Sequence, residues 1–377
     1  MIPFNRPHLT GSELTYIQQA ADAGQLAGSG RFTQLCQHWL EREVGCAQAL
    51  LTHSCTGALE MAALLLDLQP GDEVIMPSFT FVSTANAFVL RGARPVFVDI
   101  RPDTLNIDET LIESAITDRT RAIVPVHYAG VACEMDAIMN IAGQHDLMVV
   151  EDAAQALRSR YHDRPLGSIA QLAAISFHET KNVIAGEGGA LLINDDRFRA
   201  RADIIWQKGT DRTEFTRGTR SRYTWVDVGS SFLPGELTAA FLWAQLESAA
   251  SLTEQRLAIW NQYHAACEPL VTVGLRTPVI PDHATHNAHL FYVLLPRGVS
   301  RDEVLADLHR RGVGAVFHYV PLHDSTAGRR YGRVASPMDV TEDCSSRLIR
   351  LPLWLGLSPQ QVAFVMTQVT QSVLQYA

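Results

Sequence analysis

The chain contains only two lysines, Lys181 and Lys208, whereas all of its other basic side chains are arginines. Lys181 lies in the stretch SFHETKNVIAGEGG, residues 176–189. An arginine is effectively never deprotonated, whereas a lysine amine can lose its proton, attack a carbonyl and form a Schiff base. A lone lysine is usually a solvated surface residue, but the scarcity of lysine here weakens that interpretation. We therefore interpret Lys181 as a candidate Schiff-base lysine.

A carboxylate follows a run of apolar residues in LMVVEDAAQA, residues 147–156. Asp152 comes at the carboxyl end of this predicted strand, where ligands bind in open α/β sheets. A carboxylate there can pair with a cationic ring nitrogen. Because Asp is also a good N-cap, the residues after it could equally begin a helix. Position alone leaves these two interpretations open.

Two further strand ends carry residues that suit a flat, phosphorylated ligand. Ser54, Cys55 and Thr56 lie between a strand and a helix, where free backbone N–H groups can bind a phosphate. Plain helix capping is the more common reason for such residues. Phe79 and Phe81 follow another strand and could stack on a ring, although core packing explains most aromatic residues at such places.

The elements that must position these residues are short apolar runs alternating with helical patterns between residues 48 and 195. The runs lack polar alternation, which is typical of strands buried on both faces of a mostly parallel sheet. The sequence therefore predicts an α/β fold with seven strands. The predicted strands are ALLTHS, EVIMPS, PVFVDI, AIVPVHYAG, LMVVEDAAQA, AAISFHE and GALLIND.

Together, a phosphate cradle, a stacking ring, a carboxylate and a Schiff-base lysine match the requirements of pyridoxal phosphate. The glycines Gly186, Gly188 and Gly189 after Lys181 allow tight turns and close backbone approach. They do not form a Walker loop. The nearest dinucleotide fingerprint, GSGRFT from Gly28, lacks its third glycine, which disfavours a nicotinamide oxidoreductase.

Length and composition set the remaining expectations. With 377 residues, we expect a large domain over residues 1–250 and a small α+β domain over residues 251–377. A net charge of −9 disfavours a nucleic-acid partner. The six cysteines are scattered without zinc spacing, so we expect reduced thiols and no metal site. No signal peptide and no membrane-spanning run are expected, which predicts a cytoplasmic protein.

Five motifs resemble those of the DegT/StrS-type sugar aminotransferases, which are fold-type I pyridoxal phosphate enzymes. They are SFHETKN with GEGGAL, EDAAQA, PSFTFVSTANA, HYAG and FHYVPLH. The similarity extends from MIPFNRP to the C-terminal helix. This resemblance implies a fold with a mostly parallel seven-stranded sheet and a smaller C-terminal domain, working as a homodimer with a shared active site.

The resemblance also implies roles for individual residues. Lys181 would carry the cofactor and act as the base of the proton shift, and Asp152 would keep the pyridine nitrogen protonated. The other residues implied to hold the cofactor are Gln155 near the ring hydroxyl, Phe81 on the ring face, and Cys55, Thr56 and Ser176 at the phosphate. In GSSFLPGE, Ser231 occupies the position of an asparagine with which relatives reach the phosphate across the dimer.

Substrate recognition is implied for His178, His318 and Tyr319, which match positions that face a nucleotide's pyrophosphate in relatives. An arginine that the sequence does not identify would add positive charge there. The implied reaction takes the amine from L-glutamate, forming pyridoxamine phosphate as the intermediate cofactor state. It then passes the amine to C4 of dTDP-4-dehydro-6-deoxy-D-glucose, giving dTDP-4-amino-4,6-dideoxy-D-galactose.

The sequence leaves alternative products and alternative functions open. The cofactor residues do not encode the face of the ketone that receives the proton, so the gluco isomer is the main alternative product. Amination at C3 is a second alternative. A sugar dehydratase of the same family would carry histidine in place of Lys181, and a non-enzymatic homologue would not need Lys181, Asp152 and Gln155 together.

Overall fold

A computed structural model describes residues 1–376 of the chain. Its centre is an eight-stranded mixed sheet in which the strand order is β1-β9-β8-β5-β4-β2-β3-β12. These strands are β1 (Gln48–Thr52), β2 (Glu73–Pro77), β3 (Arg94–Val98), β4 (Thr120–Ile123), β5 (Met148–Asp152), β8 (Leu172–Ser176), β9 (Gly189–Ile193) and β12 (Arg333–Val334). The α/β fold is as predicted.

The strand count corrects the prediction of seven. The seven predicted runs all form strands, and the eighth is the two-residue β12, which pairs in parallel with β3 at the sheet edge. Only β9 runs against its neighbours β1 and β8. Its first residue, Gly189, therefore lies at the same edge as the carboxyl ends of the other central strands.

Both faces of the sheet are covered by helices, because alternate strand side chains point to opposite sides. Ala49 and Leu51 of β1 join one buried cluster, whereas Leu50 joins the other. The first cluster includes residues of α2 (Arg31–Val44), α6 (Met135–Gln144) and α9 (Glu236–Glu247). The second includes residues of α3 (Cys55–Leu65), α4 (Val82–Val89) and α7 (Arg199–Trp206).

A separate buried cluster forms in the C-terminal part of the chain. It contains residues of α10 (Ala249–Val271), α11 (Arg301–Arg310), α14 (Pro359–Tyr376) and the antiparallel strands β11 (Phe291–Leu294) and β13 (Leu348–Leu351). The predicted domain boundary after residue 250 falls at the start of α10 and stays a prediction. Ile2 packs against this C-terminal cluster, whereas Leu322 and Met338 pack in a sheet cluster.

The remaining elements are short or peripheral. They are α1 (Glu13–Asp22), α5 (Ile112–Ala115), α8 (Arg212–Thr216), α12 (Thr326–Tyr331), α13 (Asp339–Arg347), β6 (Arg160–Tyr161), β7 (Arg164–Pro165) and β10 (Ala284–Thr285). Four 3₁₀ turns occur at Glu109–Leu111, Tyr128–Gly130, Asp196–Phe198 and Leu322–Asp324. All six cysteines are free thiols, as predicted. Among residues 1–376, no helix has both the length and the apolar composition needed to cross a membrane.

Candidate active site

A cavity of about 400 Å³ opens at the edge of the sheet where β1, β2, β5 and β8 end. It brings together residues from sequence stretches that lie far apart. The predicted site residues that line it are Cys55, Thr56, Phe81, Asp152, Gln155, Ser176, His178, Lys181, His318 and Tyr319. Ser231 does not line this cavity.

The first helix N-terminus at the cavity is that of α3, which follows β1. Ser54 caps it, because its hydroxyl accepts a hydrogen bond from Gly57 N at 3.0 Å. Thr56 Oγ1 lies 2.8 Å from Ser83 Oγ, which belongs to the first turn of α4. Capping therefore occurs here, and the hydroxyls from two helix starts that meet beside the N-terminus of α3 also suit an anion.

Gly189 allows this turn to pack against the sheet. A Cβ at this position would collide with Cys55 N and with the carbonyl carbon of Ser54. Any larger residue would therefore displace the backbone that forms the start of α3. Of the glycines after Lys181, Gly189, the first residue of β9, is therefore required for close packing.

Asp152 is the last residue of β5; the residue is 5% exposed and lines the cavity. Its Oδ2 accepts a hydrogen bond from Thr84 Oγ1 at 2.7 Å, and Thr84 in turn lies 2.8 Å from Thr80 Oγ1. The only hydrogen bond to Oδ1 within residues 1–376 comes from Ala154 N at 3.2 Å. The helix N-cap interpretation is wrong, because a turn and not a helix follows Asp152.

Gln155 connects the sheet to the C-terminal part of the chain. Its Oε1 accepts from Ala129 N at 2.7 Å, so its Nε2 is free to donate to the Tyr319 hydroxyl at 3.0 Å. Burial raises the pKa of Tyr319 to about 12, so its hydroxyl stays neutral. Two predicted site residues are therefore fixed against each other across the cavity.

Lys181 lies in the loop between β8 and β9 and lines the cavity. Burial lowers the pKa of this amine, against the opposing effects of Cys55 and Asp152, and the Arg350 charge lowers it further. Within the described chain its Nζ donates no hydrogen bond, which leaves it available to a carbonyl. Lys208, by contrast, is exposed in a turn with a φ of 65°.

His178 lies near the cavity mouth. Its Nδ1 lies 2.9 Å from Thr180 Oγ1, and its Nε2 is 3.7 Å from the exposed carboxylate of Glu187. Phe81 is 59% exposed at the cavity, so its ring is available to a ligand. Phe79 is buried in the core against Tyr128 and Tyr319. Core packing is thus the correct interpretation for Phe79.

Arg350, on β13, is a cavity residue that the sequence did not indicate. Its Nη1 donates to His318 Nε2, and its guanidinium lies 4.5 Å from the centre of the Phe4 ring. Because arginine can only donate, His318 Nε2 accepts and its Nδ1–H donates to the Tyr128 hydroxyl at 3.2 Å. Burial, followed by the Arg350 charge, keeps the pKa of His318 well below its usual value.

The cavity therefore has two ends with Lys181 between them. The sheet end consists of Cys55, Thr56, Thr84, Asp152 and Ser176, and the arginine end consists of Phe4, His318, Tyr319 and Arg350. No local signal in the sequence identifies Phe4 or Arg350. Thr84 lies in the quoted motif PSFTFVSTANA, five residues after Phe79, but its partner Asp152 is 68 residues away.

The donor set fits pyridoxal phosphate. Hydroxyls and a helix N-terminus suit the phosphate, the Asp152 carboxylate suits the ring nitrogen, Phe81 suits the ring face, and the unpaired Lys181 amine suits the aldehyde. Burial raises the pKa of the Cys55 thiol well above its usual value, so it contributes a neutral side chain to this cradle.

Comparison with known proteins supports the same conclusion. The DegT/DnrJ/EryC1/StrS aminotransferase family matches residues 7–370. Spr1654 from Streptococcus pneumoniae, described as a sugar aminotransferase and solved in PMP and PLP forms, superposes with a TM-score of 0.92 for the PMP form. The two chains are 26% identical and each is covered completely.

Two further solved structures are similar. The aminotransferase TlmJ from Streptoalloteichus hindustanus is 29% identical with a TM-score of 0.90, covering 100% of this chain and 99% of its own. S. venezuelae DesV, solved with a ketimine intermediate, is 30% identical with a TM-score of 0.87, covering 96% of this chain and 94% of its own. With nearly the whole chain matched, this protein belongs to the DegT/DnrJ/EryC1/StrS aminotransferase family and is a pyridoxal phosphate-dependent aminotransferase.

Proposed function

We propose that this aminotransferase moves the amino group of L-glutamate to C4 of dTDP-4-dehydro-6-deoxy-D-glucose, giving dTDP-4-amino-4,6-dideoxy-D-galactose. The observation that carries the transamination chemistry of this proposal is the arrangement of Lys181, Asp152 and Gln155 around one cavity. The long motifs over residues 51–93 and 126–136 resemble those of enzymes that make this amino sugar. The description of Spr1654 as a sugar aminotransferase supports the substrate class.

When bound, pyridoxal phosphate supplies an electron sink for the carbon that carries the amine. Asp152, whose carboxylate is fixed by Thr84, would keep the ring nitrogen protonated. Thr56, Ser176 and the start of α3 would hold the phosphate. Phe81 would pack on the ring, and Gln155 would hold the ring hydroxyl.

Lys181 does the proton transfer. Its lowered pKa increases the fraction of neutral amine, which is the form that removes a proton from the α-carbon of L-glutamate. The same Nζ delivers a proton in the second half-reaction, at C4 of the sugar. Because both halves use one lysine and one cavity, the kinetics are ping-pong.

The product of the full reaction tests the proposal. The purified enzyme, L-glutamate and dTDP-4-dehydro-6-deoxy-D-glucose are incubated together, and the product is examined by proton NMR. A small coupling between H3 and H4 is expected, because the proposed galacto product carries an axial amine. A large coupling would show the gluco isomer, and an amine at C3 or no amino sugar would refute the substrate.

We also propose that the enzyme is a homodimer in which Ser231 of a second copy reaches the phosphate. Ser231 is exposed and follows a stretch with exposed apolar residues, Trp225 at 80%, Val226 at 47% and Val228 at 46%. A partner surface would cover them. Sedimentation velocity tests this proposal, with a dimer of 41.6 kDa chains expected and a monomer contradicting it.

We propose the cytoplasm as the location of the enzyme, because its six free thiols suit a reducing compartment.

A further inference from the structure

Arg350 places an unpaired positive charge inside the catalytic cavity. Among residues 1–376, no carboxylate lies within ion-pair distance of its guanidinium, whereas Arg333 and the nearby Arg347, for example, are each paired with a carboxylate. Its Nε is buried with no hydrogen-bond partner. A buried arginine that lacks both a counter-ion and a full set of acceptors is costly unless a ligand supplies them.

The surroundings of Arg350 hold its side chain in place at the cavity. Arg350 Nη1 donates a hydrogen bond to His318 Nε2. The neutral His318 ring in turn donates a hydrogen bond to the Tyr128 hydroxyl. The face of the guanidinium rests on the Phe4 ring. His318 stacks on Tyr319 with 3.8 Å between ring centres, and Tyr319 is bonded to Gln155. The arginine is thus positioned by aromatic contacts and not by a second charge.

The other ionisable groups facing the cavity make Arg350 the available anion partner. Asp152 is occupied by Thr84 and lies at the sheet end, and Glu187 is exposed beside His178. His289 and His318 are neutral, because burial holds the pKa of each well below its usual value. Lys181 is the other basic side chain of the cavity, and its amine is needed for the transfer reaction itself. An anionic ligand group therefore meets Arg350.

We propose that Arg350 binds the α-carboxylate of the amino donor. This inference rests on the proposed function and names the residue that recognises its first substrate. The α-carboxylate is one bond from the carbon whose amine is transferred, and Lys181 marks the place of transfer. Arg350 lies near enough to Lys181 for its charge to act on that amine. A planar guanidinium matches a carboxylate with two parallel hydrogen bonds.

The diphosphate of a nucleotide sugar is the competing anion, since the family resemblance implies that His318, which contacts Arg350, faces it. It is separated from C4 by the sugar ring, whereas the α-carboxylate is adjacent to the reacting carbon. A nucleotide also needs a route to the surface. The exposed side chains of Phe81, His178 and Glu187 lie at the cavity mouth, where a nucleotide would enter. In the sugar half-reaction, Arg350 would meet only neutral hydroxyls.

The two half-reactions separate these assignments in the loaded enzyme. Arg350→Gln is compared with wild type for conversion of the pyridoxal form by L-glutamate and, separately, by dTDP-4-amino-4,6-dideoxygalactose. We expect the rate constant divided by Kd to fall about 10²-fold with glutamate and to change less than about threefold with the amino sugar. Arg350→Lys restores part of the loss, and the exposed Arg197→Gln serves as the charge control.

Equal losses in both half-reactions, or a loss confined to the amino sugar, would overturn the proposal. Binding of 2-oxoglutarate to the pyridoxal form, measured by calorimetry, gives a readout that needs no turnover and is expected to weaken in parallel. If wild type reacts with glutamate but not with the amino sugar, the proposed sugar substrate fails. The effect of Arg350→Gln on the glutamate reaction then still tests the assignment of Arg350, independently of the sugar substrate.

A measurement on wild type covers the case in which the variants do not fold. The α-amide of L-glutamate is compared with its γ-amide, L-glutamine, as donor. We expect the α-amide to react about 10²-fold more slowly than the γ-amide, because only the α-amide loses the carboxylate that faces Arg350. Equal rates, or a slower γ-amide, would refute the assignment to the α-carboxylate.

Discussion

The two ends of the cavity are built in different ways. The sheet end comes from the last residues of strands and the first turns of the helices that follow strands, so its residues are placed largely by the strands beside them. The arginine end comes from three separated segments around Phe4, His318 and Arg350 that meet only through tertiary packing. The sheet end is therefore fixed by local chain connectivity, whereas the arginine end depends on contacts between segments that are distant in sequence.

Two buried networks reflect the same difference. Below the sheet end, Glu151 accepts from His127 Nε2 at 3.0 Å and from the backbone N–H groups of Gly167, Ile169 and Ala170. This network fixes the strand that carries Asp152 through charge and many donors. At the arginine end, aromatic rings hold Arg350 with few polar contacts. We therefore expect the geometry around Asp152 to be rigid, and the surroundings of Arg350 to tolerate more substitutions.

The largest effect is expected for Lys181, which lies between the two ends. Lys181→Arg keeps the charge but removes the amine that can deprotonate, so transamination should fall by about 10⁴-fold or more. Steady-state rates with L-glutamate measure this. Lys208→Arg is the matched control and should leave the rates unchanged, because Lys208 is exposed in a turn away from the cavity. Comparable losses in the two variants would refute the assignment.

Asp152→Asn tests the charge at the sheet end. The substitution keeps the shape and the contact with Thr84, but it removes the negative charge that stabilises a protonated ring nitrogen. We expect kcat/KM to fall about 10²- to 10³-fold. Asp118→Asn, at an exposed position, is the control. Activity within threefold of wild type would remove Asp152 from the cofactor-binding set.

Glu151→Gln tests the network under the sheet end through stability. Because the amide cannot accept from all four donors, the free energy of unfolding should fall by about 2–3 kcal/mol, as measured by urea denaturation. The hydrogen bonds from His127 and from the backbone N–H groups, opposed by burial, hold the pKa of Glu151 below its usual value.

The pH dependence of this network has a definite sign. A carboxyl with a lowered pKa in the folded state stabilises the protein above its unfolded value of about 4.3, and that stabilisation is lost as the pH falls through the folded value. Wild type should therefore lose more stability below pH of about 4 than Glu151→Gln does. Parallel pH curves for the two proteins would contradict this account.

The smallest effect is expected for Tyr319→Phe, at the arginine end. The change removes the hydroxyl that accepts from Gln155 Nε2 at 3.0 Å and leaves that amide with one fewer partner. We expect kcat/KM to fall about fivefold to tenfold with L-glutamate. Tyr331→Phe, a partly exposed control, should have no effect. A loss above about 10³-fold would mean that the hydroxyl takes part in the chemistry.

The sequence located Asp152 and the Ser54–Thr56 turn at strand ends because each follows an apolar run, and the end of a strand is visible in such a run. Ser176 was implied only by the family resemblance, and Thr84 was not predicted. The eighth strand, Arg333–Val334, was not predicted, because two residues carry no periodicity. Arg350 was not predicted either. It lies within an ordinary apolar strand, and its partners are Phe4 and His318, distant in sequence.

The most direct test of the central claim is to find which amine carries the cofactor. Borohydride reduction of the loaded enzyme makes a Schiff-base linkage permanent, and peptide mass mapping then locates it. The chain has two lysines, which makes the result unambiguous. A pyridoxyl group on the peptide that contains Lys181, and absent from the one that contains Lys208, is the predicted result. A group on Lys208, or on neither lysine, would contradict the active site described for this protein.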